Sequence, residues 1–109
     1  MPHRVVVPTQ TRVLVVDDDP DLRELLDEGL CARGHVVETC GSAKDALARL
    51  DEREIDVVIT DLRMPTTTGI ELCRQVGERR PDVPVLVLTG FGTMESAIDA
   101  MRAGAWDFI

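Results

Sequence analysis

Four short runs of apolar residues recur along the chain and constrain its fold more than any other feature of the sequence. They occupy positions 13–16, 36–37, 57–59 and 85–88, and their side chains are valine, leucine or isoleucine. Apolar and polar residues do not alternate within them, which is typical of strands buried on both faces. Because parallel sheets bury both faces, the runs predict a parallel β-sheet.

Segments with helical periodicity separate these runs, and a fifth strand begins at 106–109. The resulting order, β-α-β-α-β-α-β-α-β, predicts a parallel sheet with right-handed crossovers and helices on both faces. The expected apolar helix faces are Leu22, Leu25, Leu26, Gly29 and Leu30; Ala43, Ala46, Leu47 and Leu50; Ile70, Cys73 and Val76; and Ala97, Ile98 and Met101.

Capping residues mark the ends of these helices. Asp19 is a favourable N-cap before Pro20, and Gly34 is a favourable stop for the first helix. Ser42 with Asp45 three residues later is a variant of the capping box at the start of the second helix. We expect the third helix to end near Gly77 and Pro81. The fourth helix should be capped by Thr93 and end at Gly104.

Composition excludes several classes of function. The chain has 109 residues, a formal net charge of -8 and a pI near 4.6, so we expect one acidic domain that does not bind nucleic acid directly. No apolar run approaches the length of a membrane span and positions 1–10 lack the layout of a signal peptide, so we expect a cytoplasmic protein without membrane contact. Cys31, Cys40 and Cys73 are expected to be reduced, and the isolated His3 and His35 make zinc chemistry improbable.

Acidic residues follow two of the predicted strands. Asp17, Asp18 and Asp19 come directly after the first strand, Asp61 after the third, and Thr89 after the fourth. Ligands of such sheets bind at the carboxyl ends of the strands, where strand order reverses. If the first and third strands are neighbours, Asp17, Asp18 and Asp61 converge.

Three converging carboxylates predict a cation site. Their repulsion should raise the pKa of at least one of them until a cation neutralises the cluster. Hard divalent ions prefer oxygen ligands, so we expect Mg²⁺, with Mn²⁺ as a possible substitute. Beside such an ion, Asp61 is a candidate to receive a phosphoryl group, and the Thr89 hydroxyl is a candidate donor to its oxygens.

Each of these residues also has a purely structural interpretation. Asp19 is expected to be a helix cap, and Asp17 and Asp18 are first-turn acids that a helix dipole favours. Asp61 and Thr89 taken alone are ordinary residues at strand ends and turns. The functional interpretation therefore rests on their joint placement.

Several motifs together give the chain a family resemblance. The quoted segments are Val15-Val16-Asp17-Asp18-Asp19-Pro20, Ile59-Thr60-Asp61-Leu62-Arg63-Met64-Pro65, Gly69, Leu88-Thr89-Gly90 and Gly104-Ala105-Trp106-Asp107-Phe108-Ile109. In this order and spacing they resemble the receiver domain of bacterial two-component response regulators. The stretch 92–98 resembles NtrC-like receivers, which precede an ATPase module that activates σ54 RNA polymerase.

The resemblance implies a fold, a domain division and a role for each matching residue. The fold is flavodoxin-like, with strand order 2-1-3-4-5, in a receiver domain spanning 12–109 after a tail at 1–11. Asp61 matches the phosphoacceptor, Thr89 the switch hydroxyl and Phe108 the aromatic switch. The implied metal ligands are Asp17, Asp18, Asp61 and the main-chain carbonyl of Arg63. Pro65 and Gly69 match residues that shape the loop after the phosphoacceptor.

One departure from the family pattern is large. Receivers carry a lysine after the fifth strand and then a fifth helix, whereas this sequence stops at Ile109 and its one lysine is Lys44. We therefore expect a receiver domain truncated before its fifth helix. An uncovered apolar sheet face favours association, so we expect the protein to dimerise, to exchange elements with a second copy or to be only marginally stable, with a homodimer as the leading expectation.

The leading functional hypothesis is a Mg²⁺-dependent switch rather than an enzyme. A histidine kinase phosphorylates Asp61, and an output domain that binds DNA or activates σ54 RNA polymerase responds. One alternative is a phosphatase of the haloacid dehalogenase type with Asp17 as nucleophile and Asp19 as its D-x-D partner, which needs a lysine downstream. The other alternative is an interaction and dimerisation module that works without phosphorylation.

Overall fold

The chain folds around one parallel sheet whose strand order is β2-β1-β3-β4-β5. The structure is a computed structural model, and it describes residues 11–62, 64, 67–88 and the backbone of 107–108. The strands are β1 (Arg12–Val16), β2 (Val36–Cys40), β3 (Val57–Asp61), β4 (Val85–Leu88) and β5 (Asp107–Phe108). The predicted flavodoxin-like order is confirmed.

The register of the sheet fixes which strand ends are adjacent. Val16 of β1 pairs with Cys40 of β2 on one side and with Thr60 of β3 on the other. Strand β3 continues to Asp61, which pairs with Leu88 of β4. The carboxyl ends of four strands therefore lie at one edge, and strand order reverses there between β1 and β3.

Three helices connect these strands: α1 (Pro20–Ala32), α2 (Ala43–Glu52) and α3 (Gly69–Arg79). The Asp19 carboxylate accepts from the main-chain N–H of Asp21 and caps α1, as its N-cap position predicts. After the helix, Gly34 has a φ of 89°, a left-handed conformation that glycine adopts without strain. Both predicted boundaries of α1 are confirmed.

The other two helices also begin at side-chain caps. The Ser42 hydroxyl accepts from the main-chain N–H of Asp45 at 3.1 Å, which confirms the predicted start of α2. The Thr68 hydroxyl does the same for Glu71 at α3. Helix α3 continues through Gly77 and ends at Arg79.

The main core lies between the sheet and the pair α2 and α3. Leu14 of β1, Val58 of β3 and Val87 of β4 are fully buried on this face. Helix α3 contributes Leu72 and Val76, which are also fully buried. Alternate residues of each strand point to the opposite face. The helix faces predicted for α2 and α3 are confirmed by the remaining buried members Ala43, Ala46, Leu50 and Cys73.

Helix α1 departs from its predicted apolar face. None of its residues is buried, and Leu25 is 66% exposed. The helix contacts β1 and β2 at the side of the sheet, and Leu22, Leu26 and Leu30 are half-buried there. The periodicity correctly predicted a helix, but Leu25 and Gly29 are both exposed, so their assignment to the buried face was wrong.

Other expectations fall partly outside the described residues. The predicted fourth helix, with Ala97, Ile98 and Met101, lies wholly outside them. The cysteines are free thiols, as expected, with Cys31 exposed and Cys40 and Cys73 buried. No helix in the described part of the chain has the length and apolar character that a membrane crossing requires.

Candidate metal and phosphoacceptor site

The carboxyl ends of β1 and β3 bring three acidic side chains together. Asp17 and Asp18 follow β1, and Asp61 is the last residue of β3. One carboxylate oxygen from each residue lies within 4.8 Å of the other two. Asp17 is buried, Asp61 is partly buried and Asp18 is exposed. The predicted convergence of residues more than forty positions apart is therefore confirmed.

Main-chain hydrogen bonds fix Asp17 at the end of the sheet. Its N–H donates to the carbonyl of Cys40 at 3.1 Å, which extends the pairing of β1 with β2 by one residue. Its Oδ1 atom accepts from the N–H of Asp19 at 2.8 Å. Its Oδ2 atom is buried and has no hydrogen-bond partner among the described residues. The Asp17 carboxylate is thus held in place with one oxygen unsatisfied.

Burial raises the pKa of Asp17 above its ordinary value of 3.8. The negative charges of Asp61, Asp18 and Asp19 raise it further, while the hydrogen bond from the Asp19 N–H lowers it. The expected rise in the pKa of a cluster member is therefore found at Asp17, with burial as its main cause and the expected repulsion as a smaller one. Ionised Asp17 is destabilising in the absence of a cation.

The donor set fits a hard divalent cation. All three groups are carboxylates, the ligands that Mg²⁺ and Mn²⁺ prefer, and Mg²⁺ retains waters in its remaining positions. The buried, unpartnered Oδ2 of Asp17 needs a positive charge or a donor. Exposure of Asp18 leaves the pocket open to solvent on one side. The residues present can therefore hold such an ion.

Backbone contacts position Asp61 at the end of β3. The following residue, Leu62, donates its N–H to the carbonyl of Leu88 at 3.0 Å and continues the pairing of β3 with β4. The buried Thr60 hydroxyl donates to the carbonyl of Asp61 at 3.0 Å. Both contacts fix the main chain of Asp61 at the end of β3.

Gly69 approaches Asp61 more closely than its predicted loop role implied. It is the first residue of α3, and its N–H donates to the carbonyl of Leu62 at 2.8 Å. A Cβ atom at Gly69 would collide with the carbonyl oxygen of Asp61 and lie 3.1 Å from the Leu62 Cα. Gly69 begins α3 directly after this loop, and only glycine fits against the Asp61 backbone there.

The side chains of four other residues in the predicted site lie outside the described part of the chain. Arg63, Pro65 and Thr89 lie outside the described residues, and only the backbone of Phe108 is described, in β5. Their predicted contributions stay predictions.

Asp19 serves as a helix cap and is not part of the acid pocket. It is exposed, its carboxylate accepts from the Asp21 N–H, and the convergent group within the described residues comprises Asp17, Asp18 and Asp61. This arrangement confirms the capping interpretation. It gives no support to a D-x-D pair of Asp17 and Asp19.

Comparison with known families identifies the domain. The profile described as the response regulator receiver domain matches residues 13–109. The chain belongs to this family. This match confirms the family resemblance that the sequence motifs indicated. The observed strand order agrees with the fold that the resemblance implied.

Two similar regulators place this receiver domain among NtrC-like relatives. It is 42% identical over 100 residues to the C4-dicarboxylate transport transcriptional regulatory protein DctD of Pseudomonas aeruginosa. It is 34% identical over 97 residues to the DNA-binding transcriptional regulator NtrC of Salmonella typhimurium. These alignments cover 92% and 89% of this chain but 22% and 21% of the relatives. The chain thus spans about a fifth of their length.

Solved structures agree with the fold. Chemotaxis protein CheY4 of Vibrio cholerae has a TM-score of 0.88 and 30% identity, with coverage of 92% of this receiver domain and 85% of that chain. Response regulator protein TrrA of Thermotoga maritima, solved in complex with Mg²⁺-BeF, has a TM-score of 0.82 and 31% identity. That comparison covers 91% of this receiver domain and 84% of TrrA.

Substitution of Gly69 by alanine should destabilise the receiver domain by about 1–3 kcal/mol, because the added methyl meets backbone that cannot move aside. Gly77→Ala is the matched control: it lies in the same helix, nothing lies within 4 Å of its Cβ position, and we expect a gain of up to about 1 kcal/mol. Urea unfolding followed by circular dichroism measures both. Equal effects of the two substitutions would contradict the close approach.

Replacement of Asp17 by asparagine should stabilise the metal-free protein at pH 7. The raised pKa of Asp17 means that the folded state holds its proton more tightly than the unfolded state. Stability is therefore lost as pH rises from the ordinary value of 3.8 through the raised value, and the asparagine variant avoids this loss. Unfolding midpoints in chelator at several pH values measure the difference.

The advantage of Asp17→Asn should disappear below pH 3.8, where both states are protonated. Glu28→Gln, which neutralises an exposed acid on α1, is the control and should show no comparable pH-dependent gain. A variant that is less stable than the parent at pH 7 in chelator would show that ionised Asp17 is not destabilising.

Proposed function

We propose that this receiver domain accepts a phosphoryl group on Asp61 from a histidine kinase and acts as a conformational switch for an output domain. The convergence of Asp17, Asp18 and Asp61 is the single observation that carries the proposal. Family membership supports it, because the matched region includes all three acids. The receiver domain is regulatory and catalyses only its own phosphorylation and dephosphorylation.

The proposed transfer is a displacement at phosphorus. A carboxylate oxygen of Asp61 attacks the phosphorus atom of a phosphohistidine and forms the new O–P bond. The P–N bond breaks, its electron pair returns to the imidazole nitrogen, and that nitrogen takes a proton from solvent. The product is an aspartyl phosphate, and its added negative charge is the signal.

Asp17, Asp18 and Asp61 would hold Mg²⁺, or Mn²⁺ in its place, with the main-chain carbonyl of Arg63 as the further ligand that the family resemblance implies. The bound ion would balance charge on the carboxylates and the phosphoryl oxygens. The fixed position of Asp17 and the open side at Asp18 suit this role. TrrA, which is similar in fold, was solved with Mg²⁺-BeF and supports this assignment.

The switch would connect the phosphorylated residue to a face read by another domain. The Thr89 hydroxyl would donate a hydrogen bond to a phosphoryl oxygen, and the Phe108 ring would turn inward in response. The two-state element would comprise Thr89, the residues that follow it and Phe108. These roles come from the family resemblance to the matching positions.

The relatives suggest what reads the switch. The names of DctD and NtrC describe transcriptional regulators, so we propose an output domain that binds DNA or activates σ54 RNA polymerase. The net charge of -8 argues against direct nucleic-acid binding by this domain itself. We further propose a cytoplasmic location, a homodimer as the signalling form, and a receiver domain at 12–109 after a tail at 1–11.

Incubation with acetyl phosphate and Mg²⁺ should add one phosphoryl group to the protein, and peptide mapping should locate it at Asp61. Asp61→Asn should abolish the mass gain, whereas Asp45→Asn, a control at an exposed acid of α2, should retain it. Chelation of the metal should slow the reaction strongly. A mass gain that survives in Asp61→Asn, or no gain in the parent, would refute the phosphoacceptor assignment.

A further inference from the structure

Gly41, directly after β2, lies beneath the guanidinium group of Arg23 from α1. A Cβ atom at Gly41 would lie 2.6 Å from Nη1 and 3.7 Å from Cζ of Arg23. The same Cβ position is 3.8 Å from the carbonyl oxygen of Asp17. The guanidinium therefore occupies the space that a side chain at Gly41 would need, next to the residue that forms the buried side of the acid pocket.

Packing, rather than ion pairing, accounts for the position of the Arg23 side chain. Arg23 is half-buried, and within residues 11–62, 64 and 67–88 its guanidinium forms no ion pair or hydrogen bond. Its positive charge also opposes the burial that raises the pKa of the Cys40 thiol, which is consistent with its lying at the end of β2. Among the arginines that the structure describes, those that form ion pairs are Arg49, Arg53, Arg74, Arg79 and Arg80.

The residue before Gly41 anchors Asp17. The Cys40 carbonyl, which belongs to the peptide joining Cys40 to Gly41, accepts the N–H of Asp17 at 3.1 Å. Arg23 is also tied to the same loop through its own N–H, which donates to the carbonyl of Asp19 at 3.1 Å. Arg23 thus contacts the end of β2 through its side chain and the loop after β1 through its main chain.

We propose that Arg23 is a positioning residue for the acid pocket, and that glycine at position 41 is required to admit it. The guanidinium shields the hydrogen bond between Asp17 and Cys40 from water and presses the end of β2 against the loop after β1. Asp17 is thereby held where its carboxylate meets those of Asp18 and Asp61. The inference rests on the proposed function in one respect, because its consequence is tighter binding of Mg²⁺.

Gly41→Ala is a selective way to displace the guanidinium. The methyl would meet the far end of a flexible side chain, which can swing away, and the backbone of Asp17 remains at an ordinary contact distance. The substitution leaves the acids and the net charge unchanged. Arg23→Lys also keeps the charge but replaces the planar group with an ammonium that cannot cover a peptide in the same way.

The test is a cycle of four proteins with equal net charge: the parent, Gly41→Ala, Arg23→Lys and the double variant. Mg²⁺ dissociation constants are measured by calorimetry on proteins whose circular dichroism shows them fully folded. We expect Gly41→Ala to weaken binding about tenfold in the parent, as loss of an outer contact to a metal ligand does. In the Arg23→Lys background the same substitution should have no further effect.

Gly29→Ala is the matched control, since this glycine lies on α1 with Arg23 and nothing lies within 4 Å of its Cβ position. It should leave the Mg²⁺ affinity unchanged. Equal losses from Gly41→Ala in both backgrounds, or no loss in either, would overturn the role of Arg23.

Amide hydrogen exchange separates this inference from the proposed function. In metal-free protein, Gly41→Ala should accelerate exchange of the Asp17 N–H severalfold in the parent and not in the Arg23→Lys background. If the parent binds no Mg²⁺ but this exchange pattern appears, the metal proposal fails and the positioning role stands. If Mg²⁺ binds but the Asp17 N–H exchanges equally in all four proteins, the positioning role fails and the metal proposal stands.

Discussion

The close approach of three carboxylates at the ends of β1 and β3 is a cost that the rest of the fold has to offset. Burial and mutual repulsion both disfavour ionised Asp17, and its Oδ2 atom has no hydrogen-bond partner among the described residues. The core between the sheet, α2 and α3 supplies the stability, because fully buried residues such as Leu14 and Leu72 keep β1 and β3 side by side. A divalent cation is the group that would convert this repulsion into attraction.

Local backbone contacts determine how tightly the site is built. Glycine at position 69 lets α3 begin against the carbonyl of Asp61, and glycine at position 41 lets Arg23 lie beside the carbonyl of Asp17. Both glycines act where a side chain would occupy space already taken by a neighbour, rather than through an unusual backbone conformation. The backbones of Asp61 and Asp17 are therefore each packed closely against a neighbouring element at a glycine.

The sheet and the acid pocket could be predicted from the sequence because both depend on the residues of single strands and of the positions that directly follow them. Strands β1 and β3 are apolar runs that end in acids, and parallel order alone brings Asp17 and Asp61 to one edge.

Leu25 was misassigned because periodicity defines a helix face but not how far that face extends over the sheet. Gly41 and Arg23 were missed because their contact joins two elements and leaves no pattern in either. Thr68 with Glu71 three residues later does have a capping-box spacing, which marks the start of α3.

Paramagnetic broadening by Mn²⁺ tests most directly whether the three acids bind one divalent cation. In amide spectra of the parent protein, substoichiometric Mn²⁺ should broaden first the signals of Asp17, Asp18 and Leu62, next to the three carboxylates, and excess Mg²⁺ should restore them. Broadening that is strongest at the exposed acids of α1, such as Glu24 and Glu28, or that Mg²⁺ does not reverse, would contradict the account.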